Sequence, residues 1–317
     1  MHNSHLSSLG EILRRFSVFV ILLVICLVFA LGSSDFLTAS NLLNVALQTS
    51  IITIVAIGMT FTILTAGIDL SVGSVMALCG ALAAGQAVRQ GWGTYGGIGA
   101  GLLAGLVLGA INGLLIIKGK MPPFVATLAM MAVARGLTLV YTQGRPIAGL
   151  EQDFIFWGTG RLLGTPVPVI LMVSLTLLAF VVLRHTRFGL YVYATGGNEE
   201  ITRLAGVSPG WIKLAVYVIS GFTAALGGVL LTARLWSAQP NVAVGWELDA
   251  IAAPVLGGIS LFGGVGGIGG TLVGAFIIGV MSNGLNLLGV PSYYQQVIKG
   301  VVFILAVMLD LLTKRRR

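Results

Sequence analysis

Side chains that could make or break covalent bonds are few and scattered in this sequence. The histidines are His2, His5 and His185, and the two cysteines, Cys26 and Cys79, each lie inside an apolar run. Isolated cysteines in such runs are typical of small buried hydrophobic residues. The sequence contains no His-Glu-x-x-His, Gly-x-Ser-x-Gly or Gly-x-x-x-x-Gly-Lys-Ser/Thr motif. We therefore expect no catalytic residue, no metal site and no ATP hydrolysis by this chain.

Polar side chains inside long apolar stretches are more informative. Asp69 interrupts one such stretch within the run GIDLSVGS, residues 67–74. It either caps the following helix or lies at membrane depth, where a carboxylate is usually functional. Arg135 either reaches the outer interface or lines a water-filled path. The candidate residues for a pathway or a re-entrant turn are Asp69, Ser71, Ser74, Asn112, Thr127, Arg135 and Ser260.

Composition identifies the environment of these residues. Of 317 residues, 56% are hydrophobic and 9% charged, and the mean hydropathy is +1.00. A soluble domain has about 25% charged residues. The composition therefore excludes an ordinary soluble enzyme, a disordered chain and a secreted disulfide scaffold. It predicts an all-α polytopic membrane protein that forms a single transmembrane domain over residues 1–317.

The apolar stretches predict about ten transmembrane helices, since a crossing needs about 20 apolar residues. The second, third, eighth and ninth stretches are the least regular, because glycine and polar residues interrupt them. The predicted spans are residues 16–32, 45–65, 70–88, 93–117, 124–141, 167–183, 214–235, 248–262, 266–288 and 293–312.

The basic residues predict an orientation for these ten spans. One side holds twelve of the 18 Lys and Arg residues, and the excess makes that side cytoplasmic. Both termini and residues 184–213 then lie in the cytoplasm, with residues 1–15 as a tail. The alternative, a cleaved signal peptide at residues 16–32, accounts less well for the charges. The cytoplasmic set is Arg14, Arg15, Lys118, Lys120, Arg184, Arg187, Arg203, Lys213, Lys314, Arg315, Arg316 and Arg317.

Glycine is the second anomaly of the composition, with 45 residues. Small residues at four-residue steps place a row along one helix face, where a neighbouring helix can approach closely. We predict such a helix-packing row at Gly97, Gly101, Gly105, Gly109 and Gly113.

Residues 184–213 contain a predicted short helix. Asn198 is a suitable N-cap, Glu199 lies where the helix dipole favours an acid, and Gly206 is a C-cap candidate. Arg203 is expected to pair with Glu199, four residues earlier. Ile201, Leu204 and Ala205 give the helix one apolar face. The segment is either a solvated connector or a helix that docks on a cytoplasmic partner.

Five blocks occur in order along the chain: GIDLSVGS at 67–74, PPFVATL at 122–128, RFG at 187–189, GGN at 196–198 and LGGIS at 256–260. Together they resemble the ribose-type permeases of bacterial sugar ABC importers. The resemblance extends from about residue 40 to residue 310. One departure occurs at residues 199–202, which read Glu-Glu-Ile-Thr where the family often has Pro-Glu-Ala-Ala.

The resemblance implies a permease subunit of an ATP-driven importer in the bacterial inner membrane. It would move a monosaccharide such as ribose, delivered by a periplasmic binding protein. A second permease chain and cytoplasmic ATPase subunits would complete the assembly, and the ATPases would bind ATP and Mg. This chain would need no cofactor. The implied ATPase-coupling helix comprises Gly197, Asn198, Glu199, Glu200, Arg203, Leu204, Ala205 and Gly206.

The main alternative is an ion-coupled secondary transporter of a small polar solute. Such a transporter needs carboxylates inside the membrane to bind its coupling ion. Asp69 is the main candidate, with Glu247 and Asp249 near the outer boundary. The sequence does not specify which sugar or solute is moved.

Overall fold

The structure is a computed structural model that describes the backbone of residues 4–314 and the side chains of residues 18–305, 307 and 308. The side chains of the predicted tail at residues 1–15 and of the basic run Lys314–Arg317 are not among those described. Their cytoplasmic location stays a prediction.

The described chain is built almost entirely of helices, with a single two-stranded hairpin. The helices and strands are α1 (Ser4–Gly32), α2 (Ala39–Leu64), α3 (Val72–Val88), α4 (Gly93–Ile117), α5 (Pro123–Thr142), α6 (Gln152–Thr159), β1 (Arg161–Leu162), β2 (Thr165–Pro166), α7 (Val167–His185), α8 (Arg187–Gly197), α9 (Glu199–Leu204), α10 (Pro209–Arg234), α11 (Trp246–Leu256), α12 (Ile268–Leu287) and α13 (Ser292–Lys314).

The prediction of about ten transmembrane helices is wrong. Within the described part of the chain, six helices are long and apolar enough to cross a membrane. The protein is thus an all-α polytopic membrane protein with fewer full-length spans than the apolar stretches suggest. The six are α2, α4, α5, α7, α10 and α12.

The stretches predicted at 70–88 and 248–262 fail because their helices are short. α3 has 17 residues, and α11 has 11, which extend only about 16 Å of a hydrocarbon core about 30 Å thick. Residues 65–71 before α3 and 257–267 after α11 are not helical. At the start of the chain, the described apolar part of α1 is limited to residues 18–32. Near the end of the chain, Lys299 and two glutamines interrupt the apolar sequence in the first turns of α13.

α2 and α10 form the centre of the bundle. α2 is buried without interruption from Thr49 to Leu64, and α10 packs against α2, α3 and α4. We call the end of the bundle that carries α8 and α9 the α9 end. α4 and α7 finish there and α10 begins there, so α4 and α10 run antiparallel along each other.

The predicted glycine row lies between α4 and its neighbours. An added methyl group at Gly97 or Gly101 would meet α3 backbone, at the carbonyl oxygens of Ala83 and Cys79 respectively. Further along α4, a methyl group at the remaining three glycines would overlap α10. These three are Gly105, facing Gly221; Gly109, facing Tyr217; and Gly113, facing Leu214. Helix packing therefore remains the role that we assign to the row.

We predict that Gly109→Ala destabilises the fold, because its new methyl group would overlap the Tyr217 carbonyl oxygen and approach the Val218 Cα to 3.0 Å. Forced overpacking costs about 1–3 kcal/mol. Unfolding of the purified protein in mixed micelles measures the difference. Gly99→Ala is the matched control on the same helix, because no atom lies within 4 Å of the added methyl group. Equal stability of the two variants would contradict the packing role.

Candidate functional site

The helix predicted after Asn198 is present as α9. The Asn198 side chain accepts a hydrogen bond from the Ile201 amide at 3.0 Å, so the predicted N-cap is confirmed. Gly206 has φ of +84°, and its amide donates to the Arg203 carbonyl at 3.0 Å. A glycine in the left-handed region just past a helix end is a common terminator. Local capping therefore determines both ends of this helix.

The ion pair predicted between Arg203 and Glu199 is not the one formed. Glu199 instead pairs with Lys213 in the first turns of α10, with 2.6 Å between Oε2 and Nζ. The partner lies 14 residues away, so helix spacing alone does not indicate it. An exposed pair contributes about 0–1 kcal/mol, and its effect here is to orient α9 against α10.

The apolar face of α9 points away from the protein. Ile201 is 64% exposed and Leu204 is 80% exposed, whereas Thr202 on the other face is buried. Isolated exposed apolar residues are common, but two on one short helix leave a patch that a partner can cover. The rest of the predicted coupling set is exposed as well: Gly197, Asn198, Glu199, Glu200, Arg203, Ala205 and Gly206.

The segment before α9 contacts two non-helical turns at close range. We call this the glycine contact, formed by residues 64–66, 196–197 and 263–264. The Gly264 amide donates to the Leu64 carbonyl at 2.9 Å, and a methyl group on Gly196 would overlap that same carbonyl oxygen. Gly263 has φ of +82° and lies against Gly196. Backbone therefore touches backbone where α8 ends.

Tyr193 adds a side-chain link to the same region. Its hydroxyl donates to the Gly266 carbonyl at 2.9 Å. Burial raises the pKa of Tyr193, and the nearby Arg184 partly lowers it. The hydroxyl therefore stays protonated, and stays a donor, at neutral pH.

Asp69 lies in a buried polar cluster in the interior of the bundle. Its Oδ1 accepts hydrogen bonds from the Ser71 amide at 3.0 Å and the Ser71 hydroxyl at 2.6 Å. Its Oδ2 accepts from the Ser220 hydroxyl at 2.7 Å. Ser220 is the twelfth of the 26 residues of α10, so Asp69 is level with the middle of that helix. Asp69 is therefore buried in the interior of the bundle, next to the start of α3. Its role, as a cap of α3 or as part of a pathway at membrane depth, stays a prediction.

Two more of the predicted residues join this cluster. The Asn112 amide nitrogen donates to the Ser71 hydroxyl at 3.0 Å, and the Thr127 hydroxyl donates to the Ile68 carbonyl at 3.3 Å. Tyr217 on α10 donates to the same carbonyl at 3.3 Å. Three helices, α4, α5 and α10, thus meet the turn at residues 68–71.

The other predicted pathway residues lie elsewhere. Ser74 is buried in the first turn of α3, and Ser260 accepts from the Phe262 amide at 3.3 Å in the turn after α11. Arg135 donates through Nη1 to the carbonyls of Pro240 at 2.8 Å and Val242 at 3.0 Å. Among the described residues, no hydrogen bond joins Ser74, Ser260 or Arg135 to the Asp69 cluster. Their place in a pathway stays a prediction.

Sequence reasoning missed Ser220 and Tyr217 as members of the cluster. Both lie within an apolar span where a lone hydroxyl is unremarkable, although the neighbouring Gly221 marks a close approach. It also missed that Lys299 and Asp249 form an ion pair at 2.8 Å. Each of these contacts joins residues far apart in the sequence.

Comparison with known proteins identifies the family. A model described as the permease component of branched-chain amino acid transport systems matches residues 41–307. The chain belongs to this permease family. It is therefore a transporter component, in agreement with the absence of an ATPase motif from its sequence.

The curated relatives cover nearly the full chain. The ribose import permease protein RbsC of Escherichia coli K12 is 48% identical over 303 residues, 94% of each chain. RbsC of Bacillus subtilis strain 168 is 50% identical over 309 residues, 94% of this chain and 93% of that one. The D-allose permease protein AlsC of E. coli K12 is 38% identical over 302 residues, 95% and 93% of the two chains. No solved structure gives a significant match.

We predict that Ser220→Ala destabilises the protein, because Asp69 Oδ2 loses its hydroxyl donor in a buried site. The expected loss is about 1–2 kcal/mol in the free energy of unfolding. Ser282→Ala is the matched control, since Ser282 donates to Ile278 within its own helix. Denaturation in mixed micelles compares the two variants. If Ser220→Ala costs no more than Ser282→Ala, the Ser220 hydroxyl does not hold Asp69.

Proposed function

We propose that this chain is the membrane permease subunit of an ABC importer for a monosaccharide, with ribose as the first substrate to test. The observation that supports this most strongly is the similarity to ribose import permeases, which runs at 48–50% identity over 94% of the chain. The relatives named for other sugars are less similar, at 38% for D-allose and 33% for xylose.

The importer needs partners that this chain does not supply. Cytoplasmic ATPase subunits bind ATP and Mg and hydrolyse the nucleotide, and a periplasmic protein delivers the sugar. A second permease chain completes the membrane core. Affinity for the sugar then lies mainly in the binding protein.

The α9 end faces the cytoplasm of a bacterial inner membrane in this proposal. Six described basic residues lie at that end, namely Lys118, Lys120, Arg184, Arg187, Arg203 and Lys213, and four lie at the other, namely Arg89, Arg145, Arg161 and Arg234. An excess of basic residues favours the cytoplasmic side. The proposal also places both termini in the cytoplasm; since α1 ends and α13 begins at the opposite end, this requires α1 and α13 to cross the membrane in addition to the six helices named above.

α9 provides the connection to the ATPase. Its exposed apolar pair, Ile201 and Leu204, fits an apolar cleft on the partner. When ATP binding draws two ATPases together, α9 moves with them, and α8 moves with α9. The glycine contact then transfers this movement to residues 64–66, a few residues before Asp69.

We predict that uptake of labelled ribose into proteoliposomes requires ATP on the ATPase side and the binding protein on the other. Because ATP is the energy source, uptake persists when ionophores collapse proton and sodium gradients. The control is an ATPase whose P-loop lysine is replaced. Uptake that needs no ATP and stops with the ionophores would contradict the proposal and favour the ion-coupled transporter.

We also predict that Leu204→Asp weakens ATPase association by about tenfold or more, since it buries a charge in an apolar interface. The folding cost is small, because Leu204 is 80% exposed. Co-purification of the ATPase with the permease measures the effect. Leu163→Asp is the matched control, an exposed leucine in the hairpin at the opposite end. Equal ATPase recovery from both variants would show that α9 does not dock.

A further inference from the structure

Two of the helices are only part-length, and their N-termini meet inside the bundle. α3 begins just after Asp69, level with the middle of α10, and runs to the end opposite α9. α11 starts beside it and runs to the α9 end, where Gly264 contacts Leu64. A methyl group on Gly73 in α3 would lie 2.5 Å from the Ala243 carbonyl oxygen and 2.6 Å from Glu247 Oε2.

The connection into α11 therefore descends from the outer end of α10 to the middle of the bundle. We call residues 236–245 the strap. Ser237, Ala238, Pro240 and Ala243 in the strap are buried, so it packs into the protein. Trp236 and Ala243 have φ of +59° and +58°, which are uncommon values for residues other than glycine. Surrounding contacts must hold such a conformation in place.

Those contacts come from two directions. Ile147 and Ala238 exchange backbone hydrogen bonds at 3.0 and 2.9 Å, which fix the outer part of the strap. Arg135 fixes the inner part, where one nitrogen of its guanidinium donates to both Pro240 and Val242. The cation is thus bound by main-chain oxygens of a segment more than 100 residues away.

Burying a cation inside an apolar span costs free energy, so a cation found there usually has a function. Packing of the strap could be achieved by apolar side chains alone. A charged donor adds two hydrogen bonds that break together, because both carbonyls accept from the same Arg135 nitrogen. This is the arrangement expected of a latch on a movable segment.

We propose that Arg135 is the positioning residue that holds the strap closed over the junction of α3 and α11. The strap then forms the outer gate of the permease, and its release opens the path from the binding protein to the polar interior. This inference rests on the proposed import function for its direction, and on the contacts of Arg135 for the gate itself.

Chemical access to the strap tests the gate without any sugar. The assay uses the full transporter complex in membranes, with Cys26 and Cys79 replaced by alanine and Ala243→Cys as the probe. A membrane-impermeant maleimide added on the outer side labels the probe only when the strap opens. We expect Arg135→Gln to raise the labelling rate about tenfold or more, the effect of losing charge-assisted hydrogen bonds.

Two further variants separate a latch from a general packing defect. Arg135→Lys retains a cationic donor and should restore slow labelling, which a merely disturbed fold would not do. Arg161→Gln removes an exposed arginine at the same end and should leave the rate unchanged. If Arg135→Gln is labelled as slowly as the parent, or Arg135→Lys as fast as Arg135→Gln, the gate is overturned. If the parent complex fails to import ribose while this pattern holds, the proposed function fails and the gate stands.

Discussion

Non-helical backbone inside a membrane must find its hydrogen bonds within the protein, because lipid offers none. Three non-helical segments of this permease have backbone polar groups that need partners: residues 65–71, 257–267 and the strap. Their polar groups are bonded internally: the Gly67 amide to Thr62, the Ser71 amide to Asp69, and the Ser260 amide to Val265. Residues 65–71 are bonded to α10 through Asp69 and Ser220, and residues 257–267 contact the end of α2 through Gly264 and Leu64. A glycine, Gly58, lets α2 approach α10 closely.

The same segments link the two ends of the molecule. Residues 64–66 contact the end of α8, and Asp69 a few positions later is bonded to the middle of α10. The strap reaches the start of α3 from the other direction. A displacement of α9 therefore has a short route through backbone contacts to the interior, without passing through a full-length helix. Breaks in the helices, rather than the helices themselves, are where the fold can change shape.

The sequence predicted the local features well and the distant ones poorly. The all-α membrane class, the capped helix after Asn198 and the interruption at Asp69 follow from composition and short-range spacing. The span count was wrong because an apolar stretch does not reveal where its helix ends: residues 248–262 are mostly apolar, yet α11 stops at Leu256. The bonds of Ser220 to Asp69 and of Lys213 to Glu199 join distant residues, and no local pattern encodes them.

The most direct test of transmission through the glycine contact compares complexes that carry Gly196→Ala or Gly197→Ala. The quantity measured is the amount of sugar imported per ATP hydrolysed. A methyl group on Gly196 overlaps the Leu64 carbonyl oxygen, whereas no atom lies within 4 Å of one on Gly197. We predict that Gly196→Ala keeps its ATPase and hydrolyses ATP but imports much less sugar per ATP, while Gly197→Ala behaves as the parent. An unchanged ratio in Gly196→Ala would contradict transmission through the glycine contact.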